Sequence, residues 1–166
     1  MKVDAKPGQR PNAAGKRFAI VVARFYDDLA AWLEDGARRG LRDCGVADGD
    51  VTVVDVPGCF EIPLAARKLI VAGEYDGVVA LGIVIRGDTP HFDFVAGECS
   101  RGIMTVQLTT GVPIGFGILT TETRAQAEER ADPARLDKGY EAAIAAVTVA
   151  LIEGEPKENK TRVGFR

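Results

Sequence analysis

The chain is poor in residues that commonly advertise chemistry: it has one histidine, one serine and one tryptophan in 166 positions. The serine, Ser100, lies in a helix-like stretch with no G-x-S-x-G around it, so a serine hydrolase is not expected. Neither a Walker A nor a G-x-G-x-x-G segment occurs, which removes support for a nucleotide phosphate loop. The three cysteines, Cys44, Cys59 and Cys99, are odd in number and lack C-x-x-C spacing; they suggest reduced thiols in cytoplasm rather than a zinc site or a disulfide framework. There is no basic excess: a net charge of −3 gives no broad attraction to nucleic acid or to an anionic membrane. No stretch reaches the roughly 18 apolar residues of a membrane span, and residues 1–16 carry basic charge without an apolar h-region, so neither insertion nor export is expected.

What is present is ordinary for one domain with a real core, at 46% hydrophobic and 27% charged residues. Residues 1–16 and 154–166 are polar and predict flexible ends around a domain at 17–153. "RFAIVVA" (17–23) is an apolar, β-branched run of the kind a strand buried on both faces requires. Leu29, Trp32, Leu33, Gly36, Ala37, Gly40 and Leu41 then fall at helical spacing, ending near Gly45. The alternation continues with a strand at 51–57, a helix at 63–72, a strand at 77–85, a helix at 90–110 burying Val95, Cys99, Ile103 and Val106, and a strand at 112–119. A helix opens at Thr123 with a Thr123/Gln126 capping box, and Tyr140, Ile144, Val147 and Leu151 mark a last one. Strands alternating with crossover helices predict an α/β fold: a flavodoxin-like three-layer αβα sandwich on a parallel sheet of about four strands.

In such sheets ligands bind beyond the carboxyl ends of the strands. That edge gathers Phe25, Phe60, Glu61, Arg86, Asp88, Thr89 and His91. In "RGDTPH", Thr89 is a candidate N-cap and Pro90 suits the first helical position, so the unpaired N–H groups of the first turn form a candidate phosphate cradle. His91, at the second helical position, meets the positive end of the helix dipole, which favours neutral imidazole as a base. By themselves these residues have plainer readings too. His91 can be a surface histidine, Phe25 a lid on the core and Glu61 a complement to a helix dipole. Phe116 reads most simply as core, and Arg130 and Lys138 as solvated helix residues. A metal reading would rest on His91 and Asp93 alone.

"PGCFEIP", "ALGIVIRGDTPHFDFVAGE", "GVPIGFGILTTET" with "QAEERA", and "DKGYEAA" resemble, in order and spacing, the signature segments of lumazine synthase, over about residues 17–152. The resemblance implies condensation of 5-amino-6-ribitylaminouracil with 3,4-dihydroxy-2-butanone 4-phosphate to 6,7-dimethyl-8-ribityllumazine, with no cofactor or metal. It implies that Phe25 stacks on the pyrimidine, that Cys59, Phe60 and Glu61 hold the ribityl chain and ring edge, and that Ile83, Val84 and Ile85 offer backbone contacts. His91 becomes the proton shuttle, Asp88 and Thr89 line the phosphate site, and Arg130 is the phosphate's ionic partner. Phe116, Arg130 and Lys138 come from a neighbouring subunit of a homo-oligomer built from pentamers. Acidic Asp88 suits a phosphate poorly and is given a backbone role only; Cys59 and Asp137 depart from the commoner residues of the family. A catalytically idle module binding riboflavin-like ligands, or a riboflavin synthase of the archaeal type, are the alternatives.

Overall fold

The computed structural model describes residues 10–152. Four strands, β1 (Phe18–Ala23), β2 (Val51–Val56), β3 (Gly77–Ile85) and β4 (Ile114–Thr121), form one parallel sheet in the order β2-β1-β3-β4. Five helices connect and cover them: α1 (Asp27–Asp43), α2 (Ile62–Ala72), α3 (His91–Thr110), α4 (Arg124–Ala131) and α5 (Lys138–Ala150). Alternation along the central strands explains the three layers. Phe18, Ile20 and Val22 of β1 join Val79 and Leu81 of β3 under α1, α4 and α5. Ala19, Val21 and Ala23 join Val78 and Ala80 under α2 and α3. Every residue of β1 is buried, as a strand covered on both faces demands.

β4 begins and ends two residues later than its sequence predicts. Pro113 has no N–H, and the first ladder position, Ile114, donates to Gln107 Oε1. At the far end Ile85 opposite Thr121 carries the pairing through polar threonines that an apolar reading stops short of. The Thr123/Gln126 box is half as expected: Thr123 Oγ1 accepts from Gln126 N–H at 3.3 Å, while Gln126 Oε1 accepts from Glu122 N–H at 2.9 Å, not from Thr123. Trp32 stands at the margin of its stripe, 40% exposed, beside fully buried Leu33 and Gly36.

α5 differs most from its expected pattern. Its buried face is Gly139, Ala142, Ala143, Ala146 and Val147, whereas Tyr140, Ile144 and Leu151 are only partly covered. Small residues are needed because the helix lies almost backbone to backbone on its neighbours: a Cβ on Gly139 would stand 2.0 Å from the Leu33 carbonyl oxygen, and one on Gly115 of β4 2.1 Å from that of Ala142. Residues 10–16 lie against the domain. Ala13 is buried and donates to the Cys44 carbonyl at 2.7 Å, and Lys16 pairs with Asp76 at 3.0 Å, so packing begins before the expected boundary at residue 17. Residues 1–9 of the expected N-terminal segment and the tail at 154–166 lie outside the described residues.

Candidate active site

The chain leaves β1 for β2 in one direction and β3 for β4 in the other, so a crevice opens between the carboxyl ends of β1 and β3. A cavity of about 520 Å³ occupies that crevice. Phe25 and Tyr26 come from the end of β1, and Gly58, Cys59, Phe60 and Glu61 from the 3-10 turn after β2. Ile83, Val84 and Ile85 form its wall on β3, with Gly87, Thr89 and His91 following. Phe25 is 74% exposed and Phe60 58%, a large apolar area left uncovered at one place in the fold.

The loop after β3 is shifted by one residue from its expected capping. α3 starts at His91, and Pro90 occupies the cap position; Thr89 Oγ1 accepts from His91 N–H at a long 3.4 Å. His91 is exposed and stands in the first helical position. Asp88 is exposed as well and is not part of the cavity wall, whereas Gly87 and Thr89 on either side of it are. Cys59 lines the cavity but its thiol faces inward: Sγ donates to the Ile83 carbonyl at 3.7 Å, in room that Gly82 leaves. Burial, with Cys99 nearby, pushes the Cys59 thiol up to about 12, which makes it a packing group and not a nucleophile.

Phe116, Arg130 and Lys138 are not in this cavity. They line a second concavity of about 410 Å³, between the free edge of β4 and helices α4 and α5, which shares no residue with the first. Phe116 is 48% exposed, so its core reading fails: Ile114 and Ile118 on the same side of the pleat are buried, but Phe116 sits on an edge strand that has no further strand beyond it to flank the ring. Arg130 donates from Nη1 to the Gln126 carbonyl at 2.9 Å and, among the described residues, has one carboxylate within reach, Glu129 at 3.7 Å. Lys138 Nζ lies 2.5 Å from Glu141.

Residues 15–153 match the model of the 6,7-dimethyl-8-ribityllumazine synthase family. A protein of Desulfotalea psychrophila with that name is 52% identical over 138 residues, covering 83% of this chain and 89% of its own. One of Desulfatibacillum aliphaticivorans, likewise named, is 50% identical over 136 residues, covering 82% and 88%. The chain belongs to the 6,7-dimethyl-8-ribityllumazine synthase family.

For a lumazine synthase family member, the cavity walls include residues that sequence reasoning did not single out. Tyr26, Phe92 and Phe94 join the first, and Glu141 the second; Val95, expected to be buried with Cys99, Ile103 and Val106, is only partly covered and lines the first cavity as well. Phe94, 67% exposed early in a helix, carried a usable signal in its place three residues after His91, one turn along the same helix, but helical aromatics ordinarily read as core. Glu141 had only its three-residue spacing from Lys138, which is common on solvated helices. Among the described residues no three or more His, Cys, Asp or Glu side chains come together as metal ligands, and no helix is long and apolar enough to cross a membrane.

Proposed function

We propose that the cavity between β1 and β3 is where this chain carries out the reaction of its family. The chain is a transferase: it condenses 5-amino-6-(D-ribitylamino)uracil with 3,4-dihydroxy-2-butanone 4-phosphate, releasing phosphate and water and forming 6,7-dimethyl-8-ribityllumazine in riboflavin biosynthesis. The observation that carries the assignment of the site is the convergence of Phe25, Glu61, Ile83–Ile85, Thr89 and His91 on one cavity, although up to 66 residues separate them in sequence (25 to 91).

The chemistry asks for few groups. An amine adds to a ketone, water and phosphate leave, and the ring closes, so the enzyme must hold two reactants together, move protons and anchor an anion. Phe25 stacks on the pyrimidine, and the β3 backbone at Ile83, Val84 and Ile85 meets its polar edge. Glu61, which has no ion-pair partner among the described residues, together with Cys59 and Phe60 receives the ribityl chain. His91 at the rim shuttles protons, and Thr89 with the backbone beside Asp88 receives phosphate.

Arg130, Lys138 and Phe116 complete the site from a second copy of the chain, whose β4 concavity closes over the first cavity. Support for self-association comes from α3: Phe94, Met104 and Leu108, exposed at 67%, 52% and 76%, fall with Gly97 and Arg101 at alternating spacings of three and four, a seam that wants a partner helix. A homopentamer, alone or as a unit of larger shells, is the assembly proposed. The three buried free thiols fit a cytoplasmic setting.

The test is to supply both substrates and follow lumazine absorbance. Wild-type protein forms the product, and His91→Ala lowers turnover by about 10²–10⁴-fold with pyrimidine binding nearly unchanged. Binding without turnover in the wild type would point instead to an idle ligand-binding module. Unchanged turnover in His91→Ala removes the histidine from the mechanism.

A further inference from the structure

Among the described residues the imidazole of His91 makes no hydrogen bond and no ion pair. Among the described residues His91 enters hydrogen bonding outside its helix only through its backbone N–H, to Thr89 at 3.4 Å. Its position therefore follows the backbone of the loop and of the first turn of α3. One side chain ties down both. Arg86, the residue after β3, donates its backbone N–H to the Thr121 carbonyl at 2.9 Å. Its Nε reaches both carboxylate oxygens of Glu122, at 2.8 and 3.1 Å, and its Nη1 those of Asp93, at 3.2 and 3.4 Å. The guanidinium carbon lies 4.1 Å from the centroid of the Phe92 ring. Phe92 follows His91 directly and Asp93 comes next, so the guanidinium grips the two residues after the histidine. It joins them to the end of β4, where Glu122 N–H is in turn bonded to Gln126 of α4.

We propose that Arg86 is a positioning residue that sets the place of His91 at the cavity rim. The proposal rests on the reading of His91 as proton shuttle. Exposed ion pairs contribute little to folding stability, and these are exposed, with the Arg86 side chain at 39% and Asp93 and Glu122 at 62% and 59%. The geometry is better suited to direction than to stability. One planar fork meets two carboxylates at different edges while its face covers an aromatic ring, an arrangement a lysine ammonium cannot reproduce. A displacement of the rim by about 1 Å is enough to slow a positioned proton transfer heavily.

The experiment is a double-mutant cycle on the assembled enzyme, with thermal unfolding measured alongside. Arg86→Met and Arg86→Lys are each made in the wild type and in His91→Ala. In the wild-type background both lower kcat by about tenfold, leave KM for either substrate within about twofold and leave the melting temperature nearly unchanged. In the His91→Ala background the same substitutions cost less than about twofold, because there is no longer a histidine to place. Should either Arg86 variant fail to fold, Asp93→Asn keeps the shape, cuts one arm of the clamp and produces the same background-dependent loss at about threefold. Full activity in Arg86→Lys, or an equal loss in both backgrounds, overturns the proposal. If His91→Ala alone leaves turnover unchanged, it is the shuttle reading that has failed, and the Arg86 proposal falls with it.

Discussion

Arg130 and Lys138 share a concavity but not an electrostatic state. Lys138 is neutralised by Glu141, whereas the Arg130 guanidinium leans on a main-chain carbonyl and a more distant Glu129. For the proposed phosphate site, Arg130 is therefore the less compensated of the two cations. Arg130→Lys is expected to raise KM for the butanone phosphate by about tenfold and to leave KM for the ribityl pyrimidine within about twofold, since a point charge lacks the fork that matches two phosphate oxygens. Varying one substrate at a time checks it, and the reverse pattern overturns the assignment. Residues such as Phe25, Glu61 and His91 were legible because strand ends are where a parallel sheet exposes its chemistry. The inward turn of the Cys59 thiol was not, because it depends on Gly82 in a strand 23 residues away (82 − 59). Phe116 was misread alone because whether a strand lies at an edge is a property of the sheet order.

Among elements, β3 matched its apolar run from end to end, since a strand buried on both faces is written in an unbroken stretch. α5 followed its large apolar residues only at Val147, because contact distance chose the rest of the face. Gly139 decides that distance. Alanine there gains about 0.5–1 kcal/mol of helix-forming tendency over glycine. Against this, its methyl would meet the Leu33 backbone at 2.0 Å, and the relief of such overpacking costs about 1–3 kcal/mol. The clash involves main chain that cannot rotate away, so it wins. Gly139→Ala is expected to lower the melting temperature by several degrees, at about 2–4 °C per kcal/mol for a chain of this size. A rise in melting temperature by scanning calorimetry would show that α1 and α5 have slack the structure does not suggest.

At the scale of the whole molecule, the proposed site belongs to no single chain. His91→Ala and Arg130→Ala, each inactive, are expected to regain activity when unfolded together and refolded as mixed oligomers. Random equal mixing with head-to-tail interfaces leaves roughly one site in four with both groups intact. Mass measurement must show the mixed species, and mixed assemblies no more active than the separate variants would remove the between-chain site. The overall architecture was legible before any of this, because alternating strands and helices admit few arrangements; that Phe116, Arg130 and Lys138 would stand apart from the first cavity was legible only through the family resemblance, since nothing local in the sequence says which surfaces meet.

The two concavities also have a consequence for counting. On the proposed between-chain site, a chain whose two concavities share no residue cannot complete itself, nor can two chains in face-to-face symmetry complete both their sites unless each concavity finds the other's opposite. A linear row always leaves an unmatched half at each end; only a closed circle has no ends. Catalytic output per chain is then a measure of closure. In a ring of identical chains a substitution at the joint recurs at every joint, so on the proposed between-chain site all sites are lost together; silencing one joint alone takes a mixed ring in which a single chain carries the change.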